Sequence, residues 1–323
     1  MRLYQPTRRD LIRLAALTPA LALPRLARAE LSPPMGGQAP GWFRFSLGEL
    51  RITIVSDGNL LLPASVMAIN APEGELAAFL QAHKQSSETN YAHTNHVIIE
   101  NGSETVLVDV GSGSRFQPSS GRLMGNLAKA GIDADAITHV ALTHAHPDHV
   151  WGLRDDFDEL VLPDASYFIG RAEYENWHAP GLVDRVDDTL QQFVVGAINS
   201  LEVAEPALTL VEDGHSVIDG VTMIDTAGHT KGHMGIMVES GGNKLLVLGD
   251  AAANAFVSFE RPDWVQQIDE DPEAVVATRR RLFDWADAEG IALAGYHLPF
   301  PGVGHVMKID DAYRFIPALW NWG

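Results

Sequence analysis

The sequence after residue 30 predicts a single α/β domain. Three observations carry this expectation. Short apolar runs of β type recur along the chain, runs with helical spacing are interleaved with them, and no low-complexity stretch or sharp change in composition divides it. At 323 residues, 46% hydrophobic and 20% charged, the chain has the make-up of a soluble protein with a substantial core.

The elements follow in order. Residues 30–41, "ELSPPMGGQAPG", are rich in proline and glycine and read as a linker or extended arm, leaving 42–323 for the domain. In "LRITIVSDG", Ile52 and Ile54 alternate along a strand that is expected to turn at Asp57-Gly58. "HVIIENGSETVLVDVGSG" reads as a hairpin: a strand to Glu100, a turn at Asn101-Gly102, and a strand from Thr105 to Val110. Residues 121–130 place Leu123 and Leu127 four apart and stop at Gly131, a helix with a glycine at its end. "ITHVALTH" is a strand, "ASYFIG" another, followed by a helical stretch from Glu173 to Trp177. "DDTLQQFVVGAINSLE" has helical spacing with a glycine inside it. "GVTMIDTAGH", "GHMGIMVES" and "NKLLVLGDA" are successive strands, the last two joined at Gly241-Gly242. "DPEAVVATRRRLFDWADAEG" is a helix with Pro272 in its first turn and Gly290 after its end, and "IALAGYH" is a strand ending in histidine.

Residues 1–29 read differently. "TRRDLIRLAALTPALALPRLARAE" opens with Arg8-Arg9, passes through a modest apolar run and reaches Ala27-Arg28-Ala29. A charged start, an apolar middle and small residues at alternate positions are the anatomy of an export signal. The segment resembles a bacterial twin-arginine signal, which implies the twin-arginine export machinery as a partner and a periplasmic or secreted location. Its apolar run falls well short of the ~20 residues of a membrane span. Without this segment the chain keeps 17 basic and 41 acidic residues, net −24, against −19 for the whole. Such a charge is repelled by phosphate backbones and anionic membranes, which argues against nucleic acid as a partner.

Cysteine is absent, which excludes disulfides, thiolate–zinc sites and cysteine nucleophiles. Any metal site must be built from histidine, carboxylate and water. Such residues recur where strands end: His144, His146, Asp148 and His149 in "LTHAHPDH", His229 in "TAGHTKGH", Asp250 in "LLVLGD" and His297 in "LAGYH". One histidine at a strand end would be read as a core or surface residue. Four endings that all carry His or Asp point to a site. In an extended backbone His144 and His146 fall on one side. Pro147 is expected to stop the strand and turn Asp148 and His149 toward a neighbouring position, so that one segment offers half the ligands of two adjacent ions. Imidazole and carboxylate suit zinc, manganese or iron rather than calcium.

The signature His-x-His-x-Asp-His is met without a gap, and His229, Asp250 and His297 follow in order. Over about residues 41–317 the chain resembles the metallo-β-lactamase fold. That resemblance implies an αββα sandwich, two mixed sheets flanked by helices, with two divalent metal ions at one edge: zinc first, with manganese, iron or cobalt as alternatives. It assigns His144, His146 and His229 to one ion, Asp148, His149 and His297 to the other, and Asp250 to the bridge, with Asp250 and Asp148 as the carboxylates of the catalytic centre. "PGWFRFSLGELRITIVSDG", "THAHPDHVWGL" and "HLPFPGVGHV" resemble the methyl parathion hydrolase branch, and lactonases are next nearest. Asp109 in "LVDVG" resembles an aspartate that orients a ligand imidazole, and His233 is expected to brace its loop. Phe116, Trp177 and Phe193 align with an aromatic substrate pocket and Ile268 with an aliphatic position there. His93 and His96 are assigned to core or surface before cleft. The chain departs from its look-alikes at Lys231 and Met234, where they have proline and threonine. It departs again at alanines 251–253, where a bulkier aliphatic run is usual and a roomier pocket is therefore expected.

Two adjacent cations bring a shared water to hydroxide near neutral pH, and one of them can polarise a carbonyl or phosphoryl oxygen. The reading is a hydrolase for a small neutral lactone or aryl ester, extending to phosphotriesters. The bridging carboxylate argues against a β-lactam, because zinc β-lactamases proper generally lack it. The alternatives are an iron-containing redox enzyme of the same fold, distinguished by iron content and oxygen-linked turnover, and a β-lactamase- or thioesterase-type hydrolase. A non-catalytic periplasmic binder is disfavoured by the complete ligand set. A homodimer is left open.

Overall fold

The computed structural model describes residues 41–319; the expected export signal and residues 30–40 of the expected arm lie outside them. The described strands form two seven-stranded sheets. In the first, β1 (Trp42–Leu47), β2 (Leu50–Pro63), β3 (Thr89–Glu100), β4 (Thr105–Val108), β5 (His139–Leu142), β6 (Ser166–Gly170) and β7 (Leu208–Val211) lie side by side in sequence order. β1 to β4 pair antiparallel and β4 to β7 parallel. The second holds β8 (His215–Ile218), β9 (Val221–Asp225), β10 (Met234–Ser240), β11 (Asn243–Val247), β12 (Ala292–Ala294), β13 (Val303–Ile309) and β14 (Ala312–Pro317), again in order. Here only the β11–β12 pair is parallel.

Alternation along each strand explains the layers. Ile52, Ile54, Val97 and Ile99 of the first sheet share a core with Val221, Met223, Ile236 and Leu245 of the second. The intervening Val55 and Ile98 face the other way. They pack with Leu123 and Leu127 of α2 (Leu123–Lys129) and with Val194, Ala197 and Leu201 of the long helix α5 (Asp188–Ala204). On the outside of the second sheet, Met237, Leu246 and Leu293 meet Leu282, Phe283 and Ala286 of α7 (Pro272–Glu289). The remaining helices are α1 (Glu75–Ala82), α3 (Pro147–Val150), α4 (Arg171–Trp177) and α6 (Val257–Glu260). The result is the four-layer αββα sandwich. No helix of the described residues is long and apolar enough to cross a membrane.

Two expectations are corrected. Asp57-Gly58 is a bulge, not a turn: β2 runs on to Pro63, and its pairing with β3 shifts between Ser56 and Gly58. The extra residue turns the buried Asp57 carboxylate to the start of α2, where it accepts from the N–H groups of Gly121 and Leu123 at 3.0 and 2.6 Å. β4 stops at Val108 instead of Val110, because Asp109 enters the left-handed region at φ 58°. The glycine inside α5 has a packing reason, since a Cβ on Gly196 would stand 2.3 Å from the Trp151 indole.

Candidate metal centre

β4 and β5 are parallel neighbours, and the pairing of β9, β10, β11 and β12 makes β9, β11 and β12 run in one direction. The chain leaving these five strands supplies Asp109, the cluster 144–149, His229, Asp250 and His297. β5 ends at Leu142, so Thr143 to His146 cross the edge as irregular chain, and Pro147 starts the one-turn helix α3 instead of merely ending a strand. His146 occupies the position before that helix with its side chain free of any capping bond, and Asp148 and His149 lie within its single turn.

His144, His146 and His229 converge. His146 Nδ1 stands 3.0 Å from His144 Nε2 and 3.0 Å from His229 Nε2. Burial, followed by the neighbouring histidines, holds His144 and His146 well below the ordinary imidazole range, so both are neutral. His229 gives its Nδ1–H to Asp269 at 2.7 Å, which leaves Nε2 facing the other two rings. Three ring nitrogens brought this close from two loops are placed to act as ligands of one cation. Tetrahedral ligands ~2.0–2.1 Å from zinc are themselves a little over ~3 Å apart.

Asp148, His149 and His297 form a second group. His149 Nε2 and His297 Nε2 lie 3.6 and 3.4 Å from Asp148 Oδ2. Asp250 reaches both groups, with Oδ2 3.4 Å from His229 Nε2 and 3.1 Å from His297 Nε2, and Oδ1 3.4 Å from His149 Nε2. Asp148 Oδ2, His149 Nε2 and Asp250 Oδ1 are buried polar atoms without a hydrogen-bond partner. Buried oxygens and nitrogens left in this state are costly, and a divalent cation satisfies all three at once. The donor set therefore fits two divalent ions.

The ring nitrogens that face away are held. His149 donates to Asp109 at 2.8 Å and His297 to the carbonyl of His93 at 2.6 Å. Asp109 also accepts from the Thr143 N–H and hydroxyl at 2.7 and 2.8 Å. His233 lies behind Asp250. Burial and His229 push it down to about 3, so the ring is neutral; its Nε2 accepts the Asp250 N–H at 3.0 Å while Nδ1 donates to Thr226 Oγ1 at 2.7 Å. His96 is buried against the Val108 and Asp109 carbonyls, and the Tyr296 hydroxyl donates to the Asp148 carbonyl at 2.6 Å. Asp269 and Tyr296 were not marked by the sequence reading. Tyr296 adjoins His297 and could have been suspected, whereas Asp269 is one acid in "IDED" among many in an acidic chain.

The expected aromatic pocket is only partly assembled. Phe193 lies 6.2 Å from the His146 ring, and Phe116 packs edge-on to Phe193 and Trp151 at 5.9 and 5.6 Å. Trp177 is 3% exposed, edge-on to His146 at 5.6 Å, with its indole N–H on Glu173 at 2.7 Å. It backs the histidine and offers no stacking face, a correction to its expected role. Ile268 is half-buried beside Asp269. Ala251 and Ala252 sit in the core under α7, so they do not widen a pocket. A cleft of about 350 Å³ opens instead beside His297, lined by residues that include Met67, Tyr91, His93, Asn254 and Phe256. None of its lining residues is Asp, Glu, Lys or Arg.

Comparison with known proteins agrees with this geometry. The model of the metallo-beta-lactamase superfamily matches residues 91–289. Among curated proteins the chain is 25% identical over 177 residues to a probable metallo-hydrolase of Mycobacterium bovis, covering 48% of this chain and 55% of that one; it thus spans about half of that relative's length. It is 22% identical over 196 residues to an N-acyl homoserine lactonase of Bacillus thuringiensis, covering 61% of this chain and 66% of the lactonase. Among solved structures, AidC, a dizinc quorum-quenching lactonase in complex with a product, superposes with TM-score 0.83 at 26% identity, over 87% of this chain and 98% of AidC. The hydrolase AbOPH superposes with TM-score 0.82 at 26% identity, over 88% and 100%. With the signature residues gathered at one edge of two packed sheets and the family model spanning more than half its length, the chain belongs to the metallo-beta-lactamase superfamily.

Proposed function

We propose that the chain is an exported binuclear metal-dependent hydrolase that opens neutral lactones and cleaves aryl esters, with phosphotriesters as a further substrate class. The observation that carries this reading is Asp250, whose two carboxylate oxygens reach both ligand groups beside an uncharged cleft. Two divalent cations bound there, zinc first, would activate water and polarise the scissile carbonyl. The chain supplies the rest. His144, His146 and His229 hold one position and Asp148, His149 and His297 the other. Asp109, Asp269 and the His93 carbonyl fix the ring orientations. His233 holds the Asp250 backbone.

The cleft beside His297 receives the neutral part of the substrate. Met67 and Phe256 give it apolar surface, and His93 is kept neutral by burial and by His297. Likeness to AidC supports the lactone class, so N-acyl homoserine lactones are the first lactones to try. The test is metal analysis together with a hydrolysis panel of lactones, aryl esters, thioesters, β-lactams and phosphotriesters. Protein carrying two ions that turns over neither lactone nor aryl ester would defeat the substrate reading. The periplasmic or secreted location rests on Arg8-Arg9 and Ala27-Arg28-Ala29.

A further inference from the structure

Glu173 is fully buried in the first turn of α4 and belongs to neither ligand group. Its carboxylate accepts four hydrogen bonds. Oε1 takes the Ala145 N–H at 2.9 Å and the Trp177 indole N–H at 2.7 Å. Oε2 takes the Thr230 hydroxyl at 2.6 Å and the Gly232 N–H at 3.1 Å. Ala145 lies between His144 and His146, and Thr230 follows His229 directly. Both loops that carry the first group therefore end on one carboxylate.

Every partner of Glu173 is a donor, so the ionised carboxylate matches them and an amide would turn its NH2 toward two of them. The contact is also close at the level of the backbone. A Cβ on Gly232 would stand 1.9 Å from the Glu173 nitrogen, so the 226–233 loop is pressed directly onto the start of α4. Among the hydrogen bonds described, none joins Glu173 to Asp148, His149 or His297. The two ion positions thus differ in what sets their geometry.

We propose that Glu173 is a positioning residue that sets the spacing between His144, His146 and His229, and thereby the affinity of the first ion position independently of the second. This rests on the two-ion reading above. The full-length metal-free chain is titrated with Zn²⁺ against a chromophoric chelator, and its thermal midpoint is measured without metal. Wild type should take up two ions. Glu173→Gln should weaken one by on the order of 10–100-fold and leave the other within about twofold. In a His297→Ala background, which spares the first position, Glu173→Gln should remove tight uptake. In a His144→Ala background it should leave the remaining uptake unchanged. Thr230→Val removes only one of the four bonds and should weaken the same ion by less, which keeps the test intact if Glu173→Gln fails to fold. Equal weakening of both ions, or no weakening in a folded variant, would overturn the proposal. Fewer than two ions in wild type would overturn the reading beneath it.

Discussion

His149 Nδ1 and Asp109 Oδ2 stand 2.8 Å apart, and Asp109 holds that position with its backbone at φ 58°. A residue with a side chain in the left-handed region costs of order 1–2 kcal/mol, least for Asp and Asn. The strain is offset by a carboxylate that fixes His149 and Thr143 together. Asp109→Asn tolerates the same backbone but removes the charge facing the ring. It should weaken the ion at Asp148, His149 and His297 by on the order of 10–100-fold, measured by chelator competition. An unchanged affinity would mean that shape alone orients His149.

Purified protein should carry about two ions per chain by elemental analysis and lose activity on chelation, and His146→Ala should lower metal content and rate together. Acid should also release metal. Burial opposes charge on His149 and His297, but Asp250 and Asp148, joined at His149 by Asp109, outweigh it and raise both rings above the ordinary range. A raised pKa keeps protons in competition with the cation to higher pH, so metal content falls as pH falls and uptake releases protons. Dialysis across mildly acidic buffers checks this; constant metal content down to the acid unfolding of the protein would contradict it.

Trp177→Ala should act on stability. The indole is buried, so its removal leaves a cavity and costs about 3–5 kcal/mol, seen as a lower thermal midpoint. Turnover of aryl and aliphatic esters should fall in the same proportion. Phe256→Ala, at the cleft beside His297, should raise KM for long-chain lactones more than for short ones with kcat nearly unchanged. A selective loss on aryl esters in Trp177→Ala would restore it to the pocket.

Neutral lactones and aryl esters should outpace β-lactams and nucleotide phosphates by about tenfold or more in kcat/KM, roughly 1.4 kcal/mol in the barrier. The cleft lining has no lysine or arginine to receive an anion and the chain is strongly acidic, so anionic substrates are disfavoured on approach. Comparable rates on a nucleotide phosphate would count against the cleft as the substrate position.

Export is tested by sequence change. Replacing Arg8 and Arg9 by lysine should leave precursor in the cytoplasm, and mature protein should begin near Glu30. An unprocessed chain in the cytoplasm of the wild-type host would rule the signal out.

The ligand-bearing segments were legible because they sit where β-type runs stop, and a strand end is readable from alternation alone. Helix α7 was equally clear, with Asp271 accepting from the Ala274 N–H, Pro272 in the first turn and Gly290 at its end. The bulge at Asp57 was not legible, since a bulge is a property of how two strands pair and the pairing of β2 with β3 was not in view. Asp269 and Glu173 were missed for a related reason. Each acts on residues 40 or more away or on a neighbouring loop, and nothing local distinguishes it from other acids. Trp177 was misplaced because an aromatic near a site reads alike whether it faces the substrate or backs a ligand.

The provenance of the ligands has a consequence for assembly. His144, His146, Asp148 and His149 leave the first sheet, while His229, Asp250 and His297 leave the second. An ion held by either group would therefore rivet the seam between the sheets, since neither half of the chain holds a full set for even one of them. The last donor, His297, follows His149 by nearly half the chain, so a full ligand set would form only once both sheets have closed. Metal that prefers the closed form would stabilise it by mass action. Stripping the ions should loosen the seam first, with amide exchange rising along the 143–149 and 226–233 loops before it rises in the outer helices.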